Sequence, residues 1–194
     1  MKPVILSVAI VVGWCVQHAP AKSDTQANDA VGTWQTAIGE QPMPDGPSAY
    51  VRATTIFTET AQDLIFEAFA DPEGQVPLMV YRSSGPWRDM GPSPDVAGAM
   101  AVNMTNDYSR VEVFVDAPEM WAAINLADCP LEIGTEVDIT DCVSGPPFTV
   151  TDCVDLDVVM IDEDGQRLRF GGGDVDRCVN RPTTLSDIAY MRVE

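Results

Sequence analysis

Short stretches in which apolar and polar residues alternate run through the chain from residue 31 onward, and they constrain its fold more than any other feature. In residues 110–115, for example, valine occupies every second position. Successive side chains of a β-strand point to opposite faces, so this period of two predicts strands with one buried face. We predict strands at residues 49–60, 64–69, 78–82, 99–104, 110–115, 136–140, 154–161 and 166–170, with Gly32-Thr33-Trp34 opening one more before them.

Residues 117–126 depart from this alternation. Pro118 stands in a first helical turn, and apolar residues follow it at helical spacing, namely Met120, Trp121 and Ile124. This pattern predicts one short helix packed on the sheet. The Asp-Gly turn at residues 162–165 predicts a hairpin, and the glycines at 171–173 predict a flexible loop. The expected fold is mainly β: a strongly curved antiparallel sheet or (half-)barrel of about eight to ten strands with one short helix.

The first 21 residues have the pattern of a secretory signal peptide. A charged start at Lys2 precedes an apolar run over residues 4–16, and an Ala-x-Ala site ends at Ala21. The run is shorter than the roughly 20 residues that span a bilayer. Cys15 follows the bulky Trp14, whereas a lipidated cysteine follows a small residue, so we expect it to leave with the signal peptide.

These features predict the domain organisation and the location of the protein. We expect a signal peptide at 1–21, a polar linker at 22–30 and one domain at 31–194, periplasmic or secreted, with no integral membrane segment after cleavage. Removal of Lys2 leaves 10 basic residues against 30 acidic, a net charge of about −20. Nucleic acids and anionic membrane surfaces would repel this charge, so neither is an expected partner.

Four cysteines remain after cleavage, and all are in the last third of the chain: Cys129, Cys142, Cys153 and Cys178. An even number in an exported protein predicts two disulfides, for which three connectivities are possible. We favour Cys129 with Cys142 and Cys153 with Cys178, because each bridge would then staple one local strand-turn-strand unit. A zinc site is the alternative, but the cysteines lack Cys-x-x-Cys spacing.

The single histidine, His18, lies in the predicted signal peptide. Without it the mature domain has no serine-histidine-acid triad, cysteine-histidine pair or histidine-ligated metal. We therefore expect a protein that is not an enzyme and holds no metal or cofactor. A pair of carboxylates, as in glycoside hydrolysis, is the catalytic chemistry that the composition still permits.

Short motifs occur in a fixed order at both ends of the predicted domain. The first group is Gly32-Thr33-Trp34, Thr36, Glu40, Pro42, Tyr50, Arg52, Asp71-Pro72 and Pro77, and the second is residues 167–171, Arg181-Pro182-Thr183 and Leu185. This order resembles the APCDD-type domain, named for adenomatosis polyposis coli down-regulated 1. Where that family has two cysteines in the first half, this chain has Gly39 and Gly74, a joint change that would remove one disulfide.

The resemblance implies a curved β-sheet around an apolar cavity that binds lipid or lipid-modified protein. It marks Trp34, Glu40, Arg52, Asp71 and Pro72 as motif positions. The expected function is binding of a lipid, an acyl chain or another hydrophobic ligand. Candidates for the cavity wall are Val51, Phe57, Phe66, Met79, Met100, Met104, Val113, Trp121, Leu156 and Met160.

Other interpretations remain open from the sequence. The ten apolar residues could fill a solid core, which would suit a structural or protein-interaction domain. The Gly-x-Trp tripeptide also occurs in lipocalin-like barrels, so a lipocalin-like carrier of another family is an alternative, as is a carboxylate-based hydrolase outside the cytoplasm. The oligomeric state and the ligand are left undetermined.

Overall fold

The computed structural model describes residues 25–42, 48–143, 148, 153–173 and 175–193, and within them the protein is mainly β. The predicted signal peptide lies outside the described residues. The described residues contain two short helices, α1 (Ala27–Ala30) and α2 (Pro118–Ala123). The strands are β1 (Gly32–Gln35), β2 (Gly39–Gln41), β3 (Ala49–Phe57), β4 (Ala61–Phe69), β5 (Pro77–Pro92), β6 (Met100–Met104), β7 (Tyr108–Val113), β8 (Glu136–Asp138), β9 (Asp155–Ile161), β10 (Arg167–Phe170) and β11 (Tyr190–Val193).

Eight of these strands close into an antiparallel barrel, which confirms the predicted fold class. The ring runs β1–β3–β4–β5–β6–β9–β10–β11 and returns to β1. Because β5 is 16 residues long, it can pair with β7 along its first half and with β6 along its second half. Strands β7 and β8 therefore extend the sheet away from the ring.

Within the described part of the chain, three apolar clusters stabilise this arrangement. The first fills one end of the barrel with side chains from ring strands, including Trp34, Phe57, Trp87, Met100, Met104, Val159 and Leu168. The second lies where the extension sheet meets α2 and the first disulfide loop, and includes Met79, Tyr81, Val111, Val113, Trp121 and Leu126. The third is on the opposite face of β9, where Val96 and Ala99 cover Val158 and Met160.

Two disulfides join Cys129 to Cys142 and Cys153 to Cys178, which confirms the favoured pairing. The first closes a loop of the second cluster, in which Cys129 is itself buried. The second links the residue two positions before β9 to the loop that follows β10. Both bridges are therefore local staples, one on each side of residues 144–152 in the chain.

Strand β5 and helix α2 differ from their predicted bounds. Strand β5 continues ten residues past the predicted end at Arg82 through Gly85 and Pro86, residues that usually interrupt strands. At Gly85 a Cβ atom would lie 1.9 Å from the Thr105 carbonyl oxygen, so close backbone packing requires glycine there. Helix α2 ends before the predicted residue 126, because Asn125 adopts a left-handed φ of 61°.

Residues 25–30, assigned to a polar linker from the sequence, pack against the barrel. The buried Thr25 hydroxyl donates to the Gly98 carbonyl at 2.9 Å and accepts from the Ile161 amide at 3.1 Å. The Ala30 carbonyl accepts from the indole N–H of Trp34 at 2.8 Å. Small side chains allow this close approach. In the part of the chain described, no helix has the length and apolar character to cross a membrane.

Candidate functional site

A cavity of about 240 Å³ lies inside the barrel beside the first apolar cluster. Its apolar wall is formed by Leu64, Met104, Phe170 and Ile188. Its polar lining includes Gln62, Ser83, Asp155, Asp157, Arg177 and Tyr190. These residues come from β4, β5, β6, β9, β10, β11 and the loop after β10, so closure of the barrel brings them together.

Asp155 and Asp157 are two residues apart on β9 and therefore point to the same face of the strand. Asp157 has no solvent exposure, and its carboxylate is held by three donors. Oδ1 accepts from its neighbour's amide, that of Val158, at 2.7 Å and from the Gly171 amide at 2.9 Å, and Oδ2 accepts from Arg177 at 2.5 Å. A buried carboxylate needs such partners, and these hydrogen bonds hold the Asp157 side chain in place in the cavity wall.

The loop after β10 is held closely against β9. A Cβ atom on Gly171 would lie 2.5 Å from Asp157 Oδ1 and equally close to Pro182, and one on Gly172 would lie 2.7 Å from the Leu185 backbone. The sequence predicted a flexible loop here, but its first two glycines are needed because backbone and side chains approach them. Arg177 donates to the Gly171 carbonyl at 2.9 Å, and its own carbonyl accepts from the Leu156 amide at 3.0 Å.

Asp155 has an oxygen without a partner. Its Oδ1 atom is buried and makes no hydrogen bond within the described residues. Burial raises the pKa of the Asp155 carboxyl, while the positive charges of Arg177 and Arg181 lower it. Buried polar atoms in native proteins are nearly always paired, and Asp155 lines the cavity, so its carboxyl is where a ligand donor would complete the hydrogen bonding.

Burial also shifts the other titratable groups around the cavity. It raises the pKa of the Asp157 carboxyl to about 7, against the opposing effect of the Arg177 charge. It raises the pKa of the Tyr190 phenol to about 12. It lowers the pKa of Arg181, a shift that the charges of Asp157 and Asp155 oppose. Exclusion of water from this part of the barrel is the shared cause.

Arg181 lies behind the cavity and is already engaged with protein acceptors. Its guanidinium donates to the carbonyls of Val102 and Asp157 and to the Asn103 side-chain oxygen, the last at 2.6 Å. The site thus has two carboxyl groups and two guanidinium groups, and both guanidinium groups are bonded to protein oxygens. Its formal charge is balanced when both carboxyls are ionised.

A second cavity of about 270 Å³ lies beside α2. Val113, Trp121, Leu126 and Ile133 line it, together with Cys129 of the first disulfide. Most of the described residues that line it are apolar, and they include no buried charged pair.

The ten predicted ligand-binding residues do not form one wall. Val51, Phe66, Met79, Val113 and Trp121 belong to the second cluster, Phe57, Met100 and Met104 to the first, and Met160 to the third. Leu156 lies on the face of β9 opposite to Asp155 and Asp157. Met104 lines the barrel cavity, and Val113 and Trp121 line the cavity beside α2.

The five motif positions lie in different structural environments. Trp34 is fully buried in the first cluster, and Arg52 pairs across the sheet with Glu67 at 2.7 Å. The Asp71 carboxylate accepts from the amides of residues 75 and 76 and so shapes the turn between β4 and β5. Glu40 and Pro72 are exposed.

Sequence reasoning missed the polar residues of the barrel cavity. One signal was present: Asp155 and Asp157 occupy alternate positions of an otherwise apolar strand, so both carboxyls had to share one face. Arg177 and Tyr190 had no comparable signal, because they reach the site through a loop and through the closing strand. Among the described residues, no group of three or more acidic, cysteine or histidine side chains could hold a metal ion.

Comparisons with known proteins add no relatives to this picture. The chain matches no protein-family model and no curated protein sequence.

Proposed function

We propose that this chain is an exported, non-catalytic binding protein that holds a small amphipathic ligand in the barrel cavity. The observation that supports this most is the cavity itself, which combines an apolar wall of Leu64, Met104 and Phe170 with an unpaired buried acceptor on Asp155. Ligand sites are typically concave and mostly apolar, with a few polar groups that fix orientation. The two disulfides are compatible with an oxidising compartment outside the cytoplasm.

The volume of the cavity limits the size of the hydrophobic ligand that the sequence predicts. Pockets for drug-sized ligands have volumes of roughly 300–1,000 Å³, and the barrel cavity has a volume of about 240 Å³. The packed first cluster closes one end of the barrel next to it. The proposed ligand is therefore a small molecule or the end of a longer lipid or acyl chain. Kinship with the APCDD-type domain, which rests on the motif order, is part of the proposal, and a barrel with an internal cavity is compatible with it.

A carboxylate-based hydrolase is a second candidate because Asp155 and Asp157 share the cavity and burial raises the pKa of both carboxyls. Residues two apart in a strand are separated by about 7 Å, within the range of catalytic carboxyl pairs. The contacts of Asp157 argue against this role. Three donors already occupy its oxygens, so its carboxyl is not free to donate a proton to a substrate.

The proposal can be tested with a substitution that blocks the opening of the cavity. Ile188 lines the cavity and is 61% exposed, so an Ile188→Trp substitution adds volume at the opening without replacing a buried residue. Met191→Trp is the matched control. Met191 lies three residues further along the chain, is 47% exposed and does not line the cavity. Native mass spectrometry of mildly purified protein, followed by extraction and uptake of a fluorescent fatty acid, measures occupancy.

We expect a bound small molecule or acyl chain in the wild type and in Met191→Trp, and a strong loss in Ile188→Trp. Equal occupancy in all three proteins would show that the ligand lies elsewhere. Absence of any bound or acquired ligand in the wild type would refute the proposal.

A further inference from the structure

The hydrogen bonding inside the barrel cavity indicates the chemistry of the ligand, and not only its size. Most of the charged groups in the cavity are already paired. Asp157 accepts three hydrogen bonds, from Val158, Gly171 and Arg177. Arg177 donates to Asp157 and to the Gly171 carbonyl. Among the buried side-chain atoms of the described residues, Asp155 Oδ1 is the one without a partner, and Asp155 lines the cavity. A ligand that completes the hydrogen bonding must therefore bring a donor, an O–H or an N–H.

The charge balance decides between a charged and an uncharged donor. With Asp155 and Asp157 ionised, the two positive charges of Arg177 and Arg181 balance the two negative charges, and Arg177 contacts the Asp157 carboxylate directly. A cationic ligand would add a third positive charge to a region of low dielectric, where repulsion between like charges is strong. Protonation of either carboxyl would make the site more positive and increase that repulsion. An anionic ligand would face the Asp155 carboxyl itself.

The remaining lining indicates what the rest of the ligand is like. Leu64, Met104 and Phe170 form an apolar surface, and the Phe170 and Tyr190 rings are packed edge to face at 5.3 Å. Burial of apolar ligand surface here is favourable, whereas a fully polar ligand would lose its hydration against these side chains.

Resting on the proposed function, we infer that the ligand is an uncharged molecule with a hydroxyl or amide N–H donor, which Asp155 accepts, and a compact apolar part that contacts Leu64, Met104 and Phe170. Asp155 is the residue that gives the site its specificity. Asp157, Arg177 and Gly171 position β9 and the loop and do not contact the donor group.

A matched set of six-membered rings tests this inference. Cyclohexanol is an uncharged donor, cyclohexanone has no donor, and cyclohexylammonium is a cationic donor of the same size. NMR titration, following the amide signals of Gly171 and Ile188, gives the Kd of each probe. We expect wild-type protein to bind cyclohexanol about tenfold more tightly than either other probe, as a hydrogen bond to a charged group predicts.

Two substitutions assign that preference to Asp155. Asp155→Leu keeps the approximate shape and removes the acceptor, so the ratio of Kd values for cyclohexanone and cyclohexanol should fall to about one. Asp63→Leu is the matched control, since Asp63 lies on the face of β4 opposite to Gln62 and Leu64, and it should keep the wild-type ratio. Asp155→Asn, which both accepts and donates, should bind cyclohexanone as well as cyclohexanol even if the leucine variant does not fold.

The outcomes separate the inference from the proposed function. Tightest binding of cyclohexylammonium, or a preference for cyclohexanol that persists in Asp155→Leu or in Asp155→Asn, would overturn the inference and leave a ligand site in the barrel. Failure of every probe to bind, together with no ligand in the purified protein, would overturn both.

Discussion

Asp157 shows at the scale of one residue how the barrel interior affects ionisation. Its carboxyl has no solvent exposure, and burial raises its pKa from the ordinary 3.8 to about 7. The folded protein therefore binds this proton more tightly than the unfolded chain does. The resulting stabilisation is fully present below pH 3.8 and is lost as the pH rises through about 7.

We therefore predict that Asp157→Asn changes how stability depends on pH. Asparagine does not ionise, so the variant should gain stability relative to the wild type as the pH rises from about 4 to about 7, by at most about 4 kcal/mol. Urea denaturation at a series of pH values measures the difference in the free energy of unfolding. Asp187→Asn, at an exposed position, is the control and should follow the wild-type curve. A constant difference between wild type and Asp157→Asn would contradict the assigned pKa.

Gly171 is a second single residue on which the site depends. In Gly171→Ala the new methyl group would lie 2.5 Å from Asp157 Oδ1 and from Pro182. We expect a loss of about 1–3 kcal/mol in the free energy of unfolding, as for other overpacked sites, with weaker ligand binding. Gly39→Ala is the matched control, because nothing lies within 4 Å of its Cβ position. Equal stability of the two variants in urea denaturation would show that the loop moves aside at little cost.

At the scale of elements, the loop after β10 is part of the site because a disulfide joins it to β9. Cys178 follows Arg177 directly, and its partner Cys153 stands two residues before Asp155. The bridge therefore holds the Arg177 side chain against the Asp157 carboxylate of β9. The other disulfide, Cys129 to Cys142, belongs to the second cluster and is absent from the lining of the barrel cavity.

Paired serine substitutions should separate these two roles. Replacing either disulfide should lower the free energy of unfolding by about 3 kcal/mol, since the bridges span 13 and 25 residues. Cys153→Ser with Cys178→Ser should also speed hydrogen exchange at the Leu156 amide, which donates to the Arg177 carbonyl. Cys129→Ser with Cys142→Ser should leave that exchange near the wild-type rate. Similar exchange in both double variants would contradict the positioning role.

The strands with a clear alternation of apolar and polar residues were predictable from the sequence. Contacts between segments far apart in the chain account for the differences between predicted and observed strands. Alternation places β3, β4, β7 and β9 near their observed positions. It fails for the second half of β5, where Gly85 and Pro86 signal an interruption and the Thr105 carbonyl instead requires glycine. Strand β11 is short and has no alternating apolar pattern, and it is a strand because β1 and β10 pair with it on both sides.

The site was less predictable than the fold because its residues meet only when the ring closes. The two carboxyls of β9 could be placed on one face from the sequence, but nothing in it brings Arg177 or Tyr190 beside them. The predicted apolar residues instead belong to clusters that pack the barrel and the extension sheet. The burial of apolar side chains can be predicted from their pattern in the sequence, whereas the residues that meet in a polar cavity depend on the register of strands far apart in the chain.

At the scale of the whole molecule, Arg192 connects the segments that close the barrel. It lies on β11 and its guanidinium is 4.2 Å from the Trp34 ring of β1. It donates to the carbonyls of Asp29 and Val31, which precede β1, and to that of Gly165 in the hairpin between β9 and β10. One side chain thus joins the first and last strands of the ring and the segment in front of them.

We predict that Arg192→Met weakens closure of the barrel. Methionine retains much of the apolar contact with Trp34 but removes the hydrogen bonds to three carbonyls, so we expect the free energy of unfolding to fall by about 2–3 kcal/mol in urea denaturation. Arg167→Met is the control, because that side chain is 53% exposed and pairs with Asp162 at the surface, a pair worth less than about 1 kcal/mol. Since β11 pairs with both β1 and β10, loss at Arg192 should also raise hydrogen exchange in all three strands together. Exchange confined to β11 would mean that the ring stays closed without Arg192, and that the Trp34 packing alone holds its ends.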